Sequence, residues 1–189
     1  MDDAVRAGLS GAADTALVVP VPEAEPVIGT HRRQFDVAAV WGLPPHVVVL
    51  YPFVSPGQVD DLVCRRLAEV LAGQPAFDCT FTETAWFGQD EVLWLRPDPE
   101  EPFRLLTRAV HATFPDHPPY RGAHGDPQPH LSIGTRRLGD LAGLRAAEEE
   151  VRRHLPVTTR VDRVALMAGR RDPGSWRLAT TFPLGGAPD

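Results

Sequence analysis

The chain has no lysine, and all 19 of its basic residues are arginine. This excludes Schiff-base chemistry on a side-chain amine and the lysine-dependent phosphate loop. Cysteine is nearly absent too. Cys64 and Cys79 are too few for a disulfide scaffold or a cysteine-rich zinc site, and a reducing, cytoplasmic setting is expected. No apolar run approaches the ~20 residues of a membrane-spanning helix. The N-terminus opens on two acids rather than a basic stretch, so neither a signal peptide nor a membrane partner is expected. The net charge of −6 makes the chain a poor general binder of nucleic-acid backbone, because that affinity comes from neutralised phosphates. DNA is therefore not an expected partner, whereas a small phosphate ester in a locally basic cleft is compatible with this charge. There is no G-x-S-x-G elbow, no G-x-G-x-x-G after a strand and no H-E-x-x-H.

What is present is the mix of a soluble globular protein: 189 residues, 43% hydrophobic and 23% charged. Twenty prolines require short, sharply bounded elements. Strands are expected at Thr15 to Pro22, His46 to Tyr51, Phe77 to Phe87, Val92 to Arg96, from His130, over Val157 to Ala168 and over Ser175 to Pro183. Helices are expected over Glu23 to Asp36, from Ser55 to about Gly73, over Glu101 to Phe114 and over Asp140 to His154. Interspersed helices and strands with several hairpin connections predict an α+β fold with antiparallel sheets. The folded unit is placed at residues 15–184, with 1–14 and 185–189 as flexible termini.

One local pattern occurs twice. Pro45-His46-Val47-Val48-Val49 and Pro129-His130-Leu131-Ser132-Ile133 both read Pro-His-apolar-X-apolar, each opening a short apolar strand followed by a helix. The spacing of the histidines suggests an internal duplication. Residues i and i+2 of a strand share a face, about 6.6 Å apart. His130 and Ser132 should therefore point into one space, as should His46 and Val48, while Val47 and Leu131 enter the core.

These motifs and their flanks (PPHVVVLYPF, LWLRPDPEEPFRLLTRAV and FPDHPPYRG) resemble the two-histidine phosphoesterase superfamily in its 2′-5′ RNA ligase-like branch. The resemblance implies a duplicated, bilobal fold of two antiparallel sheets flanked by helices, with a central cleft. It implies a phosphodiesterase, independent of metal or other cofactor, acting on a cyclic or 2′-5′ phosphodiester of a small nucleotide or RNA end. His46 and His130 would be the acid/base pair and Ser132 would bind phosphate. Histidine suits both proton transfers because its ordinary pKa of about 6.5 lets both forms exist near neutrality. A monomer is expected.

The chain departs from the family at Val48, where the first motif should carry a hydroxyl. Valine has nearly threonine's shape but donates no hydrogen bond. Reduced or altered activity follows as an expectation, and two alternatives stay open: acid/base chemistry on a small non-nucleotide metabolite, or catalytically silent binding of nucleotide or RNA ends. Tyr120, Arg121 and His124, in the loop before the second motif, are candidate substrate contacts, with Tyr120 stacking on a base and Arg121 meeting a phosphate. His111, His117, His124 and His130 recur at intervals that fit neither a helix nor a strand face, and no metal site is assigned to them. The paired arginines Arg32/Arg33, Arg65/Arg66, Arg136/Arg137, Arg152/Arg153 and Arg170/Arg171 are expected in solvent. Trp86, Trp94 and Trp176 are expected in the core.

Overall fold

The computed structural model describes residues 3–123 and 127–186. In chain order it contains α1 (Asp3–Leu9), β1 (Asp14–Pro20), α2 (Glu25–Phe35), α3 (Val37–Trp41), β2 (His46–Leu50), α4 (Asp61–Ala72), β3 (Phe77–Phe87), β4 (Val92–Asp98), α5 (Glu101–Thr113), β5 (Leu131–Thr135), α6 (Leu141–Arg152), β6 (Val157–Val161), β7 (Arg163–Gly169) and β8 (Arg177–Pro183). Helices α4 and α6 start where the sequence supplies caps. The Asp60 carboxylate accepts from the Val63 amide at 2.8 Å and that of Asp140 from the Gly143 amide at 2.7 Å. Among the described residues no helix is long and apolar enough to cross a membrane.

The strands form one antiparallel sheet in the order β6-β3-β4-β5-β2-β1-β7-β8. The two expected sheets are thus halves of one. They meet at the β2–β5 seam, which is registered by a single Cα pair, Val47 opposite Leu131. The duplication is visible in the order of elements: β1-α2-β2-α4 in one half matches β4-α5-β5-α6 in the other.

Strand periodicity sorts the residues onto two faces. Leu17, Val19, Val47, Val49, Leu93, Leu95, Leu131 and Ile133 pack in one core with Ile28 and Phe35 of α2, Leu67 and Leu71 of α4, Phe103 and Leu106 of α5, and Leu144 and Val151 of α6. Burying a residue of this kind fully contributes roughly 1.5–3 kcal/mol. The opposite face carries a smaller apolar cluster on the first half: Ala16, Val18, Leu43, Ala165, Met167 and Trp176. His46, Val48, His130 and Ser132 belong to this second face.

The structure differs from the sequence reading in several places. Residues 3–9 are helical, not a flexible terminus, and Val5 and Leu9 are buried in the main core. At the other end, Gly185 pairs with Pro75 and its carbonyl accepts from the Ala76 amide at 2.9 Å, so the chain is anchored past residue 184. The expected strand from Val157 to Ala168 is two strands on opposite halves, β6 beside β3 and β7 beside β1, divided at Asp162. β6 alternates buried and exposed, as an edge strand does, whereas β7 is buried on both faces beyond its first residue.

Candidate active site

The site is built by the seam. With Val47 opposite Leu131 in an antiparallel pair, the register sets His46 beside Ser132 and Val48 beside His130. The two histidines are then diagonal neighbours, about 7–8 Å apart at Cα. All four side chains are partly exposed, while Val47 and Leu131 between them are buried. Residues remote in the chain are brought to one patch because each half contributes its central strand.

Each ring is held in the same way. His46 Nδ1 lies 2.7 Å from the Pro44 carbonyl, and His130 Nδ1 lies 2.8 Å from the Gln128 carbonyl. A carbonyl oxygen only accepts, so in both rings Nδ1 carries the proton and donates. That fixes the neutral tautomer and leaves Nε2 of each as the nitrogen free to take up a proton.

Their electrostatic settings differ. Burial amid protein atoms lowers the His46 pKa to about 4, with the nearby Arg32 charge pushing the same way. The Pro44 bond and Asp36 oppose this in part, and the charge of His130 adds a smaller downward push. His130 is also lowered, chiefly by burial, against the Gln128 bond and Asp36. The buried Arg32–Asp36 pair near the rings was not expected. Arg32 is only 2% exposed, not solvated. Its Nε and Nη2 lie 3.0 and 2.9 Å from Asp36 Oδ2, and Asp36 Oδ1 also caps α3 through the Ala38 amide at 2.9 Å.

A pH dependence of stability follows. Between pH 6.5 and about 4 the unfolded chain binds a proton that folded His46 refuses, so stability falls as pH falls through that window and this contribution levels off below it. The whole shift would amount to roughly 3 kcal/mol. Solvent at the partly exposed ring reduces this to on the order of 1–2 kcal/mol. Urea denaturation of wild type and His46→Gln across that range measures it: the variant should lose less stability on acidification, and equal losses would contradict the assignment.

Beside His130 opens a cleft of about 540 Å³ lined by Phe87, Val92, Tyr120, Pro127, Gln128, His130 and Ser132, and His46 and Val48 lie outside this lining. Its floor is aromatic. Phe87 stacks on Trp94 at 4.6 Å, and both meet His130 edge-on at 4.9 and 5.9 Å. Trp94 is buried, as expected. Tyr120 stands in the cleft wall; burial raises its phenol pKa. Its amide donates to the Tyr51 carbonyl at 2.7 Å, tying the loop to the end of β2. Tyr120 and Arg121 both hold left-handed backbone, φ 51° and 56°, a conformation costing non-glycine residues about 1–3 kcal/mol each. Arg121 itself is exposed and lies outside the cleft lining. His124 lies outside the described residues. Sequence reasoning missed Phe87, Val92, Pro127 and Gln128. Of these, only Gln128 had a signal, its place two residues before a repeated histidine.

Comparisons with known proteins agree with this architecture. A family model described as the 2′-5′ RNA ligase superfamily matches residues 19–173. A Geobacillus thermodenitrificans protein whose name carries the word phosphoesterase is 24% identical over 163 residues, spanning 83% of this chain and 87% of its own. Among solved structures, TT0787 of Thermus thermophilus superposes with a TM-score of 0.60 at 16% identity, covering 92% of this chain and 98% of that one. E. coli LigT complexed with 3′-AMP superposes with a TM-score of 0.54 at 16% identity, covering 92% and 99%. At these identities the likeness to the solved structures is one of fold.

Proposed function

Because the chain belongs to the 2′-5′ RNA ligase superfamily, we propose that it is a phosphodiesterase acting on a cyclic or 2′-5′ phosphodiester of a nucleotide or RNA end by two-histidine acid/base catalysis. The observation that carries this reading is the matched tethering of His46 and His130, which leaves Nε2 of each ring free on one face of adjoining strands.

His46 is the base, since burial, with the Arg32 charge adding to it, disfavours its protonated form. Its Nε2 takes a proton from the attacking water as the water oxygen bonds to phosphorus. The bond from phosphorus to the leaving oxygen breaks, and protonated His130 delivers its Nε2 proton to that oxygen. Exchange with solvent then resets both rings. The Ser132 hydroxyl donates to a non-bridging oxygen as its charge grows. The cleft volume lies in the range of small-molecule sites, and Phe87, Val92 and Tyr120 offer an apolar wall to a base or ribose.

A panel of 2′,3′-cyclic nucleotides, 2′-5′-linked dinucleotides and a 1″,2″-cyclic phosphate tests the reading. Turnover of at least one is expected, and no turnover of any would refute it. A second reading rests on Val48, whose side chain packs against the small apolar cluster. A less polar wall suits acid/base chemistry on an uncharged metabolite, and tight binding of such a compound without affinity for nucleotides would favour it.

A further inference from the structure

The segments that hold the two histidines are themselves gripped by arginines from equivalent helices. On the first half, Arg32 Nη1 of α2 donates to the Leu43 carbonyl at 3.3 Å, three residues before His46. On the second, Arg104 Nη1 of α5 donates to the Pro127 carbonyl at 3.3 Å, three residues before His130. Each guanidinium is anchored by a carboxylate one helical turn away: Arg32 by Asp36 at 2.9 Å and Arg104 by Glu100 at 3.2 Å. Arg104 Nη2 also donates to Gln128 Oε1 at 2.8 Å, on the residue whose carbonyl receives the His130 Nδ1 proton.

The two arginines occupy different positions in their helices. Arg32 lies near the C-terminal end of α2 with its acid after it in the chain, whereas Arg104 lies in the first turns of α5 with its acid before it. Two halves that reach one kind of contact from different positions meet the same physical requirement. A ring nitrogen bonded to a loop carbonyl keeps its tautomer only if the carbonyl stays put, and each such carbonyl belongs to a loop rich in proline, with few amides to tie it down.

We propose that Arg32 and Arg104 are positioning residues, one per half, that steady the segments whose Pro44 and Gln128 carbonyls hold His46 and His130 in the Nδ1–H tautomer and so aim both Nε2 atoms at the face the two rings share. The inference deepens the two-histidine reading and rests on it for any effect on turnover, but the tautomer is measured without substrate. Long-range ¹H–¹⁵N spectra of histidine-labelled protein at about pH 8, where free imidazole is neutral, should show both rings as Nδ1–H in the wild type. In Arg104→Met, His130 should move to the mixed tautomers of a free ring while His46 keeps its signal. In Arg32→Met with Asp36→Asn, which leaves no unpaired buried carboxylate and retains an α3 cap, the pattern should reverse. On a phosphodiester that the wild type turns over, Arg104→Met should lower kcat about tenfold, in line with the cost of a misaimed reacting group, and leave KM within about twofold. A folded Arg104→Met protein in which His130 stays locked as Nδ1–H overturns the proposal, as does loss of both tautomers together, the mark of a general loosening. If the wild type turns over no phosphodiester, the functional reading fails while the tautomers still decide the role of Arg104.

Discussion

Replacing His130 by alanine should lower kcat on a cyclic phosphodiester by about 10²–10⁴-fold, the usual loss when a positioned proton donor is removed. The effect should fall on kcat rather than KM, because Ser132, Tyr120 and the Phe87 wall are left in place. It should also erase one limb of the pH–rate profile. On the proposed mechanism, wild-type activity requires His46 neutral and His130 protonated. Both rings are shifted down, so the optimum on kcat/KM should lie on the acid side of pH 6.5. A bound phosphodiester, being anionic, favours protonated His130 and should move the kcat limb upward relative to the free protein. His46→Ala should cost a similar factor. The double variant should be little worse than either single one, since the two rings serve one transfer. His130 is partly exposed and its ring contacts are edge-on, so the fold should survive, and circular dichroism of the variant checks this. A folded His130→Ala protein with full activity would end the acid/base assignment.

The fold was legible where the sequence alternates strongly and stops sharply. β3 carries β-favouring residues between Pro75 and Gly88, and it runs from Phe77 to Phe87 as expected. Helices α5 and α6 follow their apolar stripes to within one or two residues at each end. The misses have a common cause, which is dependence on distant partners. α1 is seven residues long and could not persist alone; burial of Val5 and Leu9 holds it. α3 is shorter still and exists because Asp36 caps it and Gly42, at φ 105°, ends it. The run from Val157 to Ala168 reads as one strand locally, and only the pairing partners of each part divide it. At the site, the repeated Pro-His pattern marked both histidines and Ser132. Arg32 is expected in solvent along with the other paired arginines of the helices; the expected helix already sets Asp36 one turn after it, but that both are buried depends on packing that the sequence does not show.

Val48→Thr should raise turnover of a phosphodiester by about 10- to 100-fold, the equivalent of the roughly 1.5–3 kcal/mol carried by a hydrogen bond to a charged group. The register puts position 48 beside His130 across the seam, as it puts Ser132 beside His46. A hydroxyl there would restore the pseudo-symmetric partner of Ser132, with one donor from each half on the non-bridging oxygens. The backbone needs no change, since threonine is β-branched like valine and suits a strand. Stability should move the other way. Val48 packs against the cluster of Val18, Leu43, Met167 and Trp176, and a hydroxyl set against apolar neighbours costs about 1 kcal/mol where it keeps contact with water. Gain in kcat with a small fall in Tm is therefore the expected signature. It separates a site weakened toward phosphate from one adapted to something else. If the site serves an uncharged ligand, the same substitution adds an unneeded polar group beside His130, weakening that ligand's binding and leaving phosphodiester turnover unchanged or lower. A rate on a clean 2′,3′-cyclic nucleotide that fails to rise would count against the phosphodiesterase assignment at this position and for the second reading.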